Sequence, residues 1–137
     1  MKLMAKVFIE LGDDYVLGPG RLELLKAIRD LGSLRKAAQH FGMSYRWAWG
    51  RLDNTEKQMG VSLLARTDDV VRGRPKQLTP EAIELIAWAD ETTARVEETL
   101  REMEGKMPAF LRKAGQDKAA KSSGKTPSTT KKPFVLN

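Results

Sequence analysis

"GSLRKAAQHFGMSYRWAWGRLDNTEKQMG", residues 32–60, carries its own punctuation. Gly32, Gly42 and Gly60 stand where helices stop, and Ser33 and Ser44 stand where the next ones start. Glycine enters the left-handed backbone that closes a helix at no steric cost. A serine hydroxyl accepts a hydrogen bond from a free N–H in the following first turn. Two helices are therefore expected, over LRKAAQHF and YRWAWGRLDNTEKQM. Just upstream, RLELLKAIRDL sets Leu22, Leu25, Ile28 and Leu31 at helical spacing. Three helices broken by single glycines make a compact trihelical unit.

The last two of these helices read as a helix-turn-helix. That motif packs two helices closely, which favours small residues in the first, an apolar residue near its end and glycine in the turn. Ala37, Ala38, Phe41 and Gly42 supply these. Ala48, Trp49 and Leu52 supply the buried stripe of the second helix. The apolar pattern alone would also suit helical hairpins that bind no DNA.

Outward from this core, KVFIEL and YVL flank Gly12-Asp13-Asp14 and predict a short β-hairpin. Downstream, LLART and KQLT are short strand candidates around a loop that carries Arg72, Arg74 and Lys76. Thr79-Pro80-Glu81 is a strong helix start, combining a cap residue, proline in the first turn and an early carboxylate. This helix is expected over about 80–107. Along it Ala82, Ile86, Ala89, Thr93, Val96, Leu100, Met103 and Met107 follow heptad spacing. The seam suits either docking along the same domain or a partner chain. A helix this long on so small a domain favours a homodimer, with Ile86, Thr93, Val96, Leu100, Met103 and Met107 at the contact. Residues 108–137, rich in Lys, Ser, Thr and Pro, are expected to be a basic, largely disordered tail.

Charge is unevenly distributed. The 137 residues carry +6 in all. Residues 32–79 hold +5, residues 80–107 hold −5 and residues 108–137 hold +6. Segregated positive charge points to a polyanionic partner, with a merely solvated basic surface as the plain alternative. Cysteine is absent and there is one histidine, His40, so thiol catalysis and Cys- or His-rich metal sites are excluded. No apolar run has the length of a membrane span, and Glu10, Asp13 and Asp14 interrupt the start too early for a secretory signal. A cytoplasmic location fits this composition. No nucleophile sits beside a base and no glycine loop cradles a phosphate, so neither enzyme activity nor a cofactor is expected. Asp13-Asp14 and Asp68-Asp69 occupy turns, where aspartate is common for backbone reasons.

Residues 32–67 resemble the winged helix-turn-helix domains of LysR-type regulators, through Ala37-Ala38, Ser44, Glu56, Gly60, Leu63 and Arg66. They resemble still more closely the N-terminal domain of molybdate-responsive (ModE-type) regulators, through Ser44-Tyr45-Arg46 and Ala48-Trp49. The upstream hairpin and GPGRLELLKAI extend the resemblance to roughly residues 5–105. It implies a mainly α fold with small β: a winged helix-turn-helix, an N-terminal hairpin and a long C-terminal dimerisation helix, together spanning residues 1–107. Two departures stand out. TDDVVRGRPKQL replaces the family's glycine-rich wing, and residues 108–137 are too short and polar for an oxyanion-binding domain. Molybdate sensing is therefore not carried over; control through a separate effector-sensing protein, or by a small effector at the dimer interface, stays open.

On this reading Tyr45, Arg46 and Trp47 lie in the first turn of the recognition helix, where side chains meet base edges. Arg46 has the shape to bond guanine O6 and N7 bidentately. Tyr45 is placed for a phosphate or a thymine methyl, and Trp47 for DNA sugars or a neighbouring helix. Arg51 is placed for a phosphate, and Trp49 for the core. Ser33, Arg35 and Lys36 open the preceding helix, and Ser44 opens the recognition helix, where free N–H groups suit phosphate. Arg72, Arg74 and Lys76 extend the cationic surface along the wing. The expected function is a homodimeric, sequence-specific transcriptional regulator on an inverted repeat of double-stranded DNA. The alternatives are a winged-helix protein-interaction module and a nonspecific DNA-associated protein.

Overall fold

The computed structural model describes residues 2–65 and 77–121. The chain opens with an antiparallel hairpin of β1 (Ile9–Leu11) and β2 (Asp14–Leu17). Its turn uses Gly12 at φ +64°. Register slips between Ile9 and Glu10, so Ile9 pairs with Leu17 while Glu10 pairs with Tyr15. Val16 is the extra residue, and both Val16 and Leu17 are buried. An irregularity of this kind lets adjacent side chains escape strict alternation. Leu11, at the turn end of β1, is exposed.

Helix α1 (Pro19–Leu31) begins with proline in its first turn and ends at Gly32, whose N–H donates to Ile28 O at 2.9 Å with φ +90°. Leu24, Leu25, Ala27 and Ile28 form its buried face, while Leu31 is exposed. The 22/25/28/31 spacing thus caught the helix and missed part of its inward stripe. Helix α2 (Leu34–His40) is capped by Ser33, whose Oγ accepts from Lys36 N–H at 3.1 Å. Helix α3 (Tyr45–Met59) is capped by Ser44, whose Oγ accepts from Trp47 N–H at 3.1 Å. It closes at Gly60, as its sequence signal predicts. Ala37, Ala38 and Ala48 are fully buried, so α2 and α3 approach closely over methyl groups.

Two polar side chains inside the core tie these elements together. Arg21, 1% exposed, donates from Nη1 to Val16 O at 2.9 Å and to Thr55 Oγ1 at 2.7 Å. Thr55 Oγ1 also donates to Val16 O at 2.7 Å. The Arg21 guanidinium lies 4.7 Å from the Tyr15 ring centre. One network thereby joins β2, α1 and α3. Burial pushes the Tyr15 hydroxyl above its usual pKa and pulls the Arg21 guanidinium below its own. Glu56, near the end of α3, accepts on Oε2 from Leu63 N–H at 2.6 Å and Leu64 N–H at 3.0 Å. These bonds fix the chain's exit from α3.

Leu64 and Leu78 then form an antiparallel bridge, flanked by Ala65 N–H to Gln77 O at 2.7 Å and Thr79 N–H to Leu63 O at 2.9 Å. This short ladder is the base of the expected wing. Helix α4 (Pro80–Gly105) starts from Thr79, whose Oγ1 accepts from Ala82 N–H at 3.2 Å and donates to Ser62 O at 2.7 Å. Lys26 on α1 pairs with Asp90 on α4. Ala82, Ile86 and Ala89 are buried against the domain, and beyond them α4 carries no fully buried residue.

Residues 109–121 depart from the expected disorder and form α5 (Ala109–Lys121). Pro108 O receives N–H bonds from Leu111 and Arg112, and the segment AFLRKAGQDKAAK is dominated by residues with high helix propensity. Polar composition does not oppose helix formation in a stretch rich in Ala, Lys and Arg.

Candidate nucleic-acid interface

The exposed face of α3 concentrates the candidate contacts. Arg46 is exposed in the first turn, and Trp47 is 50% exposed beside it. The Arg51 guanidinium lies 4.0 Å from the Trp47 ring centre, one turn along the same helix. The described partner of the Trp47 ring is thus a cation on its own helix. The stacking also fixes a guanidinium that would otherwise sample many rotamers. Trp49 takes the inward side, partly buried against the core.

Tyr45 differs from its expected exposed position. It is half-buried and packs against the core, with the Arg35 guanidinium 5.0 Å from its ring centre. A tyrosine ring can pack on apolar neighbours and still receive a cation on its face. Arg35 is thereby brought across from α2 to the first turn of α3. Lys36 is exposed nearby. Ser33 caps α2 as its position predicts: it is 5% exposed and its hydroxyl accepts from Lys36 N–H. Ser44 is exposed, with its hydroxyl committed to the cap. Neither α2 nor α3 has an acidic residue in its first turn, so the positive ends of both helix dipoles stay uncompensated by local charge. The expected contacts of Arg72, Arg74 and Lys76 lie outside the described residues.

Ser44, Arg46, Trp47, Gly50, Arg51 and Asn54 line a shallow concavity on this face. Sequence reasoning passed over Gly50 and Asn54. The available signal was a glycine in the middle of a long helix, among polar neighbours and away from any cap.

The expected dimerisation seam is divided. Ile86, 2% exposed, belongs to the chain's own core, so it is not available to a partner. Thr93, Val96, Leu100 and Met107 are half-buried, and Met103 is half-exposed. Leu3 N–H donates to Glu104 Oε1 at 2.8 Å, and Leu3 and Met4 line a cleft with Leu100. Trp88 and Ile83 remain exposed on the proximal half of α4. Among the described residues there is no group of three or more His, Cys, Asp or Glu side chains placed to hold a metal, and no helix long and apolar enough to cross a membrane.

Residues 19–82 match the family described as bacterial regulatory helix-turn-helix protein, lysR family. The match runs from the first residue of α1, across the α2–α3 pair and the Leu64–Leu78 bridge, into the first turn of α4. Residues 19–82 are thus similar to the LysR-type helix-turn-helix domain. Helix α3 lies within the matched residues. Among solved structures, the chain is similar to ArgP from Mycobacterium tuberculosis at 28% identity and a TM-score of 0.46. That similarity covers 62% of this chain and 30% of ArgP, so the chain spans less than a third of that regulator's length. No curated protein matches the sequence.

Proposed function

We propose that this protein is a sequence-specific, DNA-binding transcriptional regulator that acts as a homodimer on an inverted repeat. The observation that carries the reading is the exposed face of α3 in a LysR-type domain: Arg46, Trp47 and the stacked Arg51, with no acidic residue in the first turn. In a helix-turn-helix this face enters the major groove. Arg46 supplies bidentate readout of guanine. Arg51, Arg35 and Lys36 supply phosphate contacts, and the cations of the wing, Arg72, Arg74 and Lys76, extend that track. Ser44 and Tyr45 set the start and tilt of the reading helix. Val96, Leu100, Met103 and Met107, with Thr93, form the face that pairs with a second copy. The combination Ser44-Tyr45-Arg46 with Ala48-Trp49 supports a kinship with molybdate-responsive regulators on the DNA-binding side alone.

Fluorescence anisotropy on matched and scrambled duplexes tests the roles. Arg46→Ala is expected to lose about 1–3 kcal/mol of discrimination between the two duplexes. Lys36→Ala is expected to weaken both alike and to flatten the salt dependence by about one unit. Equal behaviour of the two variants would overturn the assignment. Binding that ignores salt altogether would favour a protein-docking role, for which exposed Trp88 and Ile83 on α4 are the natural surface.

A further inference from the structure

We infer that Gly50 is a notch that admits the methyl group of a thymine in the major groove. This rests on reading α3 as the recognition helix and specifies part of what it recognises.

Gly50 lies within α3, where glycine is disfavoured relative to alanine because it loses more backbone freedom on folding. Two ordinary reasons for a glycine fail here. Its φ is not positive, unlike those of Gly12, Gly32, Gly42 and Gly60. A Cβ at Gly50 would meet no atom within 4 Å, so packing does not forbid a side chain. Gly18 shows the contrast: a Cβ there would come within 2.7 Å of Phe8 Cδ1. Nothing inside the described structure requires the missing side chain at Gly50, which turns attention to what approaches from outside.

The surroundings indicate what that is. Arg46 and Trp47 lie one turn before Gly50, Asn54 lies one turn after, and Arg51 is folded onto Trp47. The bare helix backbone and the indole make an apolar recess rimmed by hydrogen-bond donors. A phosphate would seek the guanidinium groups and has no need of a recess. Among groups on the major-groove floor, the thymine C5 methyl is the apolar protrusion. A side chain at position 50 would hold that base pair away from the helix and lengthen the bonds from Arg46 and Asn54 together.

The test uses the full chain, wild type and Gly50→Ala, with a duplex selected by the wild type. A parallel set of duplexes replaces each thymine in turn by uracil, which removes the methyl alone. Gly50→Ala is expected to raise Tm by about 4–8 °C while weakening binding to the selected duplex by about tenfold. At one thymine of each half-site, uracil is expected to weaken the wild type by about fourfold and to leave Gly50→Ala unaffected. Wild-type affinity in Gly50→Ala, or indifference of the wild type to uracil at every position, would overturn the notch while leaving recognition by α3 intact. Failure of the wild type to prefer any duplex would remove the recognition role of α3, and the notch with it.

Discussion

Arg21 is fully buried and bonds Thr55 Oγ1 and Val16 O, so a charged side chain sits at the junction of three elements. A hydrogen bond to a buried charge contributes more than a neutral one, and losing one partner leaves the charge undersatisfied. Thr55→Val keeps the shape and removes the hydroxyl. It is expected to lower unfolding free energy by about 2–3 kcal/mol in chemical denaturation, while Thr55→Ser stays within about 1 kcal/mol of wild type. A neutral Thr55→Val would show that the network contributes little. Single residues were unevenly legible in the sequence. Ser44, Gly32 and Gly60 announced their roles because capping depends on local backbone alone. Arg21 did not, because a cation in RLELLKAIRDL looks like any exposed position on an amphipathic helix. Its partners lie 5 and 34 residues away. Gly50 was passed over in the sequence, and only the three-dimensional structure excludes packing within the described residues and backbone strain as its cause.

At the scale of elements, α4 does two jobs along one seam. Its first half completes the domain core through Ala82, Ile86 and Ala89. Its second half has no fully buried residue: Val96 and Leu100 are half-buried and Met103 is half-exposed. Heptad spacing foresaw one continuous contact line, because periodicity reports a shared face and not which neighbour covers it. The division gives opposite outcomes for two substitutions. Ile86→Ala is expected to destabilise the fold by about 2–5 kcal/mol, seen as a lower denaturation midpoint. A Val96→Asp, Met103→Asp double variant is expected to keep the helical circular dichroism spectrum and sediment as a monomer at micromolar concentration, where wild type sediments as a dimer. A wild-type monomer at that concentration would contradict the pairing of α4 with a second copy.

Across the whole molecule, charge and fold are laid out together. The basic stretch 32–79 contains α2 and α3, and the acidic stretch 80–107 contains α4. The proposed DNA-facing and partner-facing surfaces thus carry opposite signs, which steers a polyanion toward α3. This arrangement was readable in the sequence, as was the order hairpin, three helices, ladder and long helix. The helix α5 was not, since polar composition excludes a buried segment more firmly than it excludes an exposed helix. The most direct measurement is selection of duplexes from a random DNA pool at physiological salt, run with the full chain and with residues 1–107. Recognition by a two-fold dimer through α3 is expected to enrich an inverted repeat in both, with half-site centres about 10 bp apart or a multiple of that spacing. Absence of enrichment in both, with binding present only in the full chain and lost as salt rises, would contradict sequence-specific recognition by the folded domain and leave electrostatic attachment through the basic tail.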